Sequence, residues 1–218
     1  MGTANICCSS FEKGCSKVVV AQAGGVVMKK METSLEGVFI LEPRVFGDTR
    51  GFFLESYNEQ VMAELGIREH FVQDNHSFSQ RNVLRGLHYQ VKHQQGKLVR
   101  VAVGEILDVA LDLRENSASF GKWEAVRLSG ENKRMLWIPI GFAHGFRVIS
   151  ENVHVLYKTT DFYYPEFERT IAWNDPDLKI DWQLDGDPLV SGKDQQGSLF
   201  REAEKFEHSP GNATECES

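Results

Sequence analysis

Cysteine is missing from the body of this 218-residue chain: Cys7, Cys8, Cys15 and Cys216 all lie near its ends. A body without cysteine does not depend on disulfides, which suits a reducing, cytoplasmic setting. No histidine or cysteine pair follows Cys7, Cys8 and Cys15 at metal-site spacing, so they read as loose thiols. Long apolar runs are missing too. The most apolar early stretch, Val18-Val19-Val20-Ala21, gives way to Gln22 and Gly24-Gly25. It is too short to span a bilayer and lacks the layout of a signal peptide, so no membrane partner is expected. Nor is there an excess of positive charge. The formal net charge is −7 at pH 7, which argues against general nucleic-acid binding and leaves room for a local basic pocket around a phosphorylated small molecule. No Gly-x-Gly-x-x-Gly run marks a nicotinamide site.

What is present is an ordinary globular composition of one-domain length. Residues 1–31 are rich in small residues without a sustained period, and read as a flexible leader. Order is expected over 32–207, with a disordered tail from 208. Val38 to Leu41 forms a short strand, Gly47-Asp48-Thr49-Arg50-Gly51 a turn, and Phe52 to Tyr57 another strand. Asn58 caps a short helix, Glu59 to Leu65, that Gly66 ends. Strand then follows strand: Phe71–Phe78, Val83–Gln90, Leu98–Val103, Ile106–Leu113, Trp123–Leu128, Met135–Ile138, Gly145–Ile149 and Val153–Thr160. Gly104-Glu105 suits a two-residue hairpin turn. A terminal helix is expected near Leu199 to Phe206. Many short strands at this spacing mean a sandwich, a jelly roll or a barrel.

The chemistry centres on Val83-Leu84-Arg85-Gly86-Leu87-His88-Tyr89-Gln90. Period-two alternation groups Arg85, Leu87 and Tyr89 on one face, and Leu84, Gly86, His88 and Gln90 on the other. A glycine inside a strand marks a close approach of ligand or backbone. His88 beside a void and a cation is what proton transfer on an anionic substrate needs; a satisfied core histidine is the plain alternative. Lys97 follows Gly96 at the start of a strand, and Tyr157, Tyr163 and Tyr164 cluster near the end of another. The run Pro139-Ile140-Gly141-Phe142-Ala143-His144 resembles the cupin signature Pro-x-Gly-x-x-His. Metal-binding cupins add a His-x-His pair, and Gly86 stands where the first of those histidines belongs. Two histidines fall short of the usual three protein ligands, so no metal is expected.

Taken together, Phe46 to Tyr57, Val72 to Ser77, Val83 to Gln90, Gln95 to Val101, Val103 to Val109, Trp137 to Phe146, Tyr157 to Tyr164 and Ser191 to Asp194 resemble the dTDP-4-dehydrorhamnose 3,5-epimerases. The resemblance runs from about Leu35 to about Asp194. It implies an all-β, cupin-type jelly-roll sandwich with a few short helices. It also implies a homodimer that needs no cofactor and takes a dTDP-4-keto-6-deoxy sugar to dTDP-4-keto-L-rhamnose; a single-site 3- or 5-epimerase on a related nucleotide-sugar and a sugar-nucleotide-binding cupin without catalysis are the alternatives. Residue by residue, it implies that His88 is the base, Asp194 its paired carboxylate, Tyr157 the proton donor and Lys97 the group that steadies an oxyanion. It gives substrate binding to Arg50, Glu55, Gln73, Asn75, Arg85, His144, Glu168 and Lys193, and base stacking to Tyr163. After Asp194 this chain runs Gln195-Gln196-Gly197 where the family often has Ala-Ala-Pro.

Overall fold

Alternating apolar side chains through the middle of the chain need cover on both sides of a sheet, and they obtain it from two antiparallel sheets packed face to face. The structure is a computed structural model that describes residues 18–23 and 26–207. Its elements run β1 (Val18–Ala23), β2 (Val26–Glu32), β3 (Phe39–Pro43), β4 (Val45–Asp48), β5 (Gly51–Leu54), α1 (Glu59–Glu64), β6 (Gln73–Gln80), β7 (Val83–Gln90) and β8 (Lys97–Val103). They continue with β9 (Glu105–Asp112), β10 (Trp123–Ser129), β11 (Met135–Ile138), β12 (Phe142–Val148), β13 (Asn152–Thr159), β14 (Glu168–Thr170), β15 (Leu189–Val190) and α2 (Gly192–Gln195).

One sheet has the order β1-β2-β3-β11-β8-β13-β6. The other has the order β10-β9-β12-β7-β14, with β15 parallel to β7. Between them lies a core that includes Val99, Val101, Ile106, Ala110, Leu136, Val153 and Val155. A second apolar layer packs α1, through Val61, Met62 and Leu65, onto the outer face of the seven-stranded sheet. A third, with Leu178, Trp182 and Phe200, covers the outer face of the other sheet. This is the expected jelly-roll sandwich. Among the described residues, no helix is long and apolar enough to cross a membrane.

Several local expectations hold closely. β7 and β11 have the expected bounds, and Asn58 caps α1 by accepting from the N–H groups of Gln60 and Val61. Others are corrected. Gly104-Glu105 does not close a hairpin, because β8 and β9 lie in different sheets and the turn carries the chain across the sandwich. Gly104 has φ +83°, in the left-handed region, and a side chain there would collide with the Asn152 carbonyl. The terminal helix shrinks to one 3-10 turn at Phe200–Glu202.

The leader is corrected over 18–31. β2 pairs with both β1 and β3, Met28 is fully buried, and Lys30 donates to the Leu65 carbonyl at 2.6 Å. Pairing with β3 orders a segment whose own period is too weak to read. The remainder of the leader, the tail from 208 and all four cysteines lie outside the described residues.

The faces of β7 are corrected as well. Gly86 and Leu87 together oppose the single residue Gly145 on β12, because His88 pairs with His144 and Arg85 with Phe146. This is a β-bulge, and the extra residue shifts the alternation by one. Leu84, Leu87 and Tyr89 therefore point to the outer layer, while Arg85 joins His88 on the inner side. The two glycines permit it: a Cβ on Gly86 would lie 2.6 Å from Gly145 Cα, and one on Gly145 2.6 Å from the Arg85 carbonyl. The close approach expected at Gly86 is thus one of backbone to backbone.

Candidate active site

Arg85 and His88 open onto a cavity of about 310 Å³ between the sheets. From the seven-stranded sheet come Gln73, Asn75 and Ser77 on β6, Lys97 on β8 and Tyr157 on β13; from the other come His144 on β12 and Glu168 on β14. Gln95 and Tyr163 lie at its edge on loops.

His88 is paired through Nε2 with Asp194, which is buried on α2. Burial pushes the Asp194 carboxyl up. The His88 ring, the Ser191 hydroxyl and the Gly86 N–H outweigh it and hold the group below the usual carboxylate range. Ser191 is also the cap of α2, accepting from the Asp194 N–H at 3.1 Å. A carboxylate only accepts, so His88 carries its proton on Nε2 and leaves Nδ1 as a base.

Lys97 keeps an accessible edge on the cavity, yet protein closes around its ammonium. Burial lowers it to about 8, while Glu168 and Asp108 pull upward and Lys193 downward. Burial would raise Glu168, but Lys193 and Tyr163 hold its carboxyl below the ordinary value. Burial pushes the Tyr157 phenol up, against Arg85, so it stays protonated at neutral pH. Tyr163 donates to Glu168 at 2.6 Å, and this bond pushes its phenol up to about 12.

The loop that carries Tyr163 is tied down by three glutamines. Gln73 accepts from the Tyr163 N–H, Gln90 accepts from the Tyr164 N–H, and Gln95 donates to the Asp161 carbonyl. Arg85 donates to Ser79 Oγ at 3.1 Å.

Of the residues singled out by sequence, His88, Tyr157, Lys97, Gln73, Asn75, Arg85, His144, Tyr163 and Glu168 line the cavity. Asp194 and Lys193 reach it through His88 and Glu168. Arg50 and Glu55 do not line it. Arg50 sits on the exposed turn between β4 and β5, beside Phe46, Phe52 and Phe53. Glu55 is half-buried after β5, with Oε1 unpaired among the described residues. Sequence reasoning missed Asp108, which is buried behind His144 and pairs with that ring's Nε2, although an acid inside the apolar run Ile106-Leu107-Asp108-Val109-Ala110 is a usable signal. It also missed Ser77, Gln95 and the cap Ser191, which look like ordinary polar residues without the fold.

Fold and cavity define a cupin-like sandwich whose pocket holds an imidazole–carboxylate pair, a phenol and a buried ammonium. The sequence model of the dTDP-4-dehydrorhamnose 3,5-epimerases matches residues 32–202. A relative of that name from Pseudomonas aeruginosa is 59% identical over 180 residues, covering 82% of this chain and 99% of the relative. A crystal structure of a dTDP-6-deoxy-D-glucose-3,5-epimerase from Legionella pneumophila, in complex with dTDP-4-keto-L-rhamnose, superposes with a TM-score of 0.82 at 48% identity. It covers 84% of this chain and 99% of that one. A 3'-monoepimerase from Streptomyces bikiniensis, in complex with dTDP-quinovose, matches at 29% identity and TM-score 0.73, over 78% and 86% of the two chains. The chain belongs to the dTDP-4-dehydrorhamnose 3,5-epimerase family, a family of isomerases.

Proposed function

We propose that this protein inverts C3 and C5 of dTDP-4-keto-6-deoxy-D-glucose by proton transfer alone, with His88 as base and Tyr157 as acid. The observation that carries this reading is the placement of His88 on one sheet, backed by Asp194 of α2, and of Tyr157 on the other, both facing one cavity with Lys97. Both hydrogens lie alpha to the C4 ketone. His88 Nδ1 takes the proton, the C–H electron pair moves into the bond to C4, and the carbonyl pair moves onto O4. Lys97 meets that charge in a water-poor pocket, where a fixed donor counts most. Tyr157 then delivers its proton to the opposite face of the carbon, and solvent resets both groups. In the gluco-configured chair the C3 and C5 hydrogens are axial on the same face, so one imidazole serves both after a small shift of the ring. Nothing is oxidised or reduced, and we infer that neither a metal nor a nicotinamide takes part. Arg85 and Lys193 suit the diphosphate by charge-assisted hydrogen bonds and Tyr163 the base by stacking, while Glu168 holds Tyr163 and Lys193 in place and can accept from the sugar or the base. The cysteine-poor body supports a cytoplasmic setting.

In heavy water the protein is expected to place deuterium at both C3 and C5 of this substrate. Label confined to one carbon after long incubation would make it a single-site enzyme like its monoepimerase relative. No exchange at all would leave a sugar-nucleotide-binding protein without catalysis.

The family resemblance gives Arg50 and Glu55 to the substrate, yet they lie outside their own cavity. Val45, Phe46, Phe52 and Phe53 are exposed beside Arg50, an apolar arrangement that suits burial against a second copy. We infer a homodimer in which this hairpin of each chain serves the other's site. Sedimentation should give the dimer mass, and Arg50→Ala should raise KM for the nucleotide-sugar. A fully active monomer would remove this arrangement.

A further inference from the structure

Strand β9 buries two aspartates completely, and they are treated in opposite ways. Asp112 is satisfied on both oxygens. Arg114 donates to Oδ1 and Oδ2, and the hydroxyls of Ser117 and Ser119 donate to Oδ2. Asp108 has the same burial and, among the described residues, a single bond, from His144 Nε2 to Oδ1 at 2.7 Å; its Oδ2 is buried with no partner among those residues. Such a carboxylate is costly in a core and is retained where it acts on something. It sits on the inner side of β9 in phase with Ile106 and Ala110, behind the cavity wall formed by His144. Its charge also reaches Lys97.

We propose that Asp108 is a positioning residue for this cavity: it holds His144 by Nε2 so that Nδ1 faces the cavity as an acceptor for a substrate hydroxyl, and it is a buried counter-charge to the Lys97 ammonium, the oxyanion donor. The assignment rests on the reading of this cavity as the place where O4 becomes negative. A carboxylate partner fixes the His144 proton on Nε2, as Asp194 does for His88 on the adjoining strand. The cavity therefore has two imidazole–carboxylate pairs, on register partners His88 and His144. His88–Asp194 opens toward solvent, whereas His144–Asp108 is buried beside Lys97.

The charged and titratable groups around Lys97 are Glu168 on β14, Asp108 on β9, Lys193 on α2, His88 and Arg85 on β7, His144 on β12, Tyr157 on β13 and Tyr163 on the loop after it. Glu168 and Asp108 raise it against burial. Removing the Asp108 charge therefore lowers Lys97 further, and the cation is lost at a lower pH.

The test is Asp108→Asn, which keeps shape, measured against wild type with dTDP-4-keto-6-deoxyglucose. In a folded variant, kcat is expected to fall about 10- to 100-fold, less than the loss of a whole oxyanion donor, with KM little changed. The alkaline limb of kcat/KM is expected to move down by about one pH unit. Combining it with His144→Gln should add little to either change alone. Unchanged kcat and an unmoved alkaline limb in a folded variant would overturn the assignment. Nitrogen NMR of the wild type reads the same assignment independently of variant folding: neutral His144 is expected as the Nε2–H tautomer, and the Nδ1–H tautomer would refute it. Failure of the functional reading shows separately, as a wild type that exchanges neither C3 nor C5, and it takes this assignment with it.

Discussion

His88→Asn is expected to lower epimerisation by about 10²- to 10⁴-fold, the usual worth of a general acid or base, and to stop deuterium wash-in at C3 and C5 together. Loss of exchange distinguishes this variant from one that merely fails to protonate the enolate. The imidazole is 26% exposed and its partner Asp194 only 3%, so the substitution removes little packing. Asparagine can still donate to Asp194, which spares the carboxylate from burial without a partner. The melting temperature should therefore stay close to wild type while activity collapses. Near-wild-type exchange in a folded His88→Asn protein would take His88 out of the mechanism. Exchange lost at one carbon only would assign the second carbon to another base.

Tyr157→Phe is expected to separate the two halves of the reaction. Phenylalanine keeps the ring packed against the inter-sheet core and removes only the hydroxyl. His88 still takes the proton and returns solvent deuterium to the original face, so exchange persists. The inverted product, trapped by reduction at C4, should fall by about 10²-fold or more. Burial keeps the phenol of the native protein protonated well above neutral pH, as a donor must be at the moment the enolate forms. Equal loss of exchange and inversion would instead mean that Tyr157 acts before or during proton removal. Undiminished inversion would pass the acid role to another group on that face.

The two variants test a division of labour between the sheets that only the folded chain makes visible. His88 and Asp194 are 106 residues apart in sequence, and no local pattern joins them. They meet because β15 runs parallel to the start of β7 and delivers α2, capped by Ser191, beside the bulge at Gly86. Lys193, from the same turn of helix, pairs with Glu168 and so links this segment to the loop of Tyr163. Family resemblance supplied the pairing of His88 with Asp194; composition and periodicity alone did not contain it.

Some features were determined by the sequence itself because their causes are local. The bounds of β7 follow from residues that alternate until a turn ends them, and α1 begins where the Asn58 side chain can accept from the first free N–H groups. The absence of cysteine from the body is enough by itself to exclude a disulfide framework there. The tertiary structure decided matters whose causes lie elsewhere in the chain. Arg85 shares the cavity with His88 because Gly145, on a strand far away in sequence, lets β7 bulge. Gly104 is a crossover rather than a hairpin because β8 and β9 bury their apolar faces against each other as opposing layers. β2 is ordered by β3, and Asp108 acquires its place only when β12 sets His144 before it. Hydrogen bonding within a turn of chain can be read from neighbours in sequence; strand pairing and burial depend on which distant segment arrives, and that is settled by the whole fold.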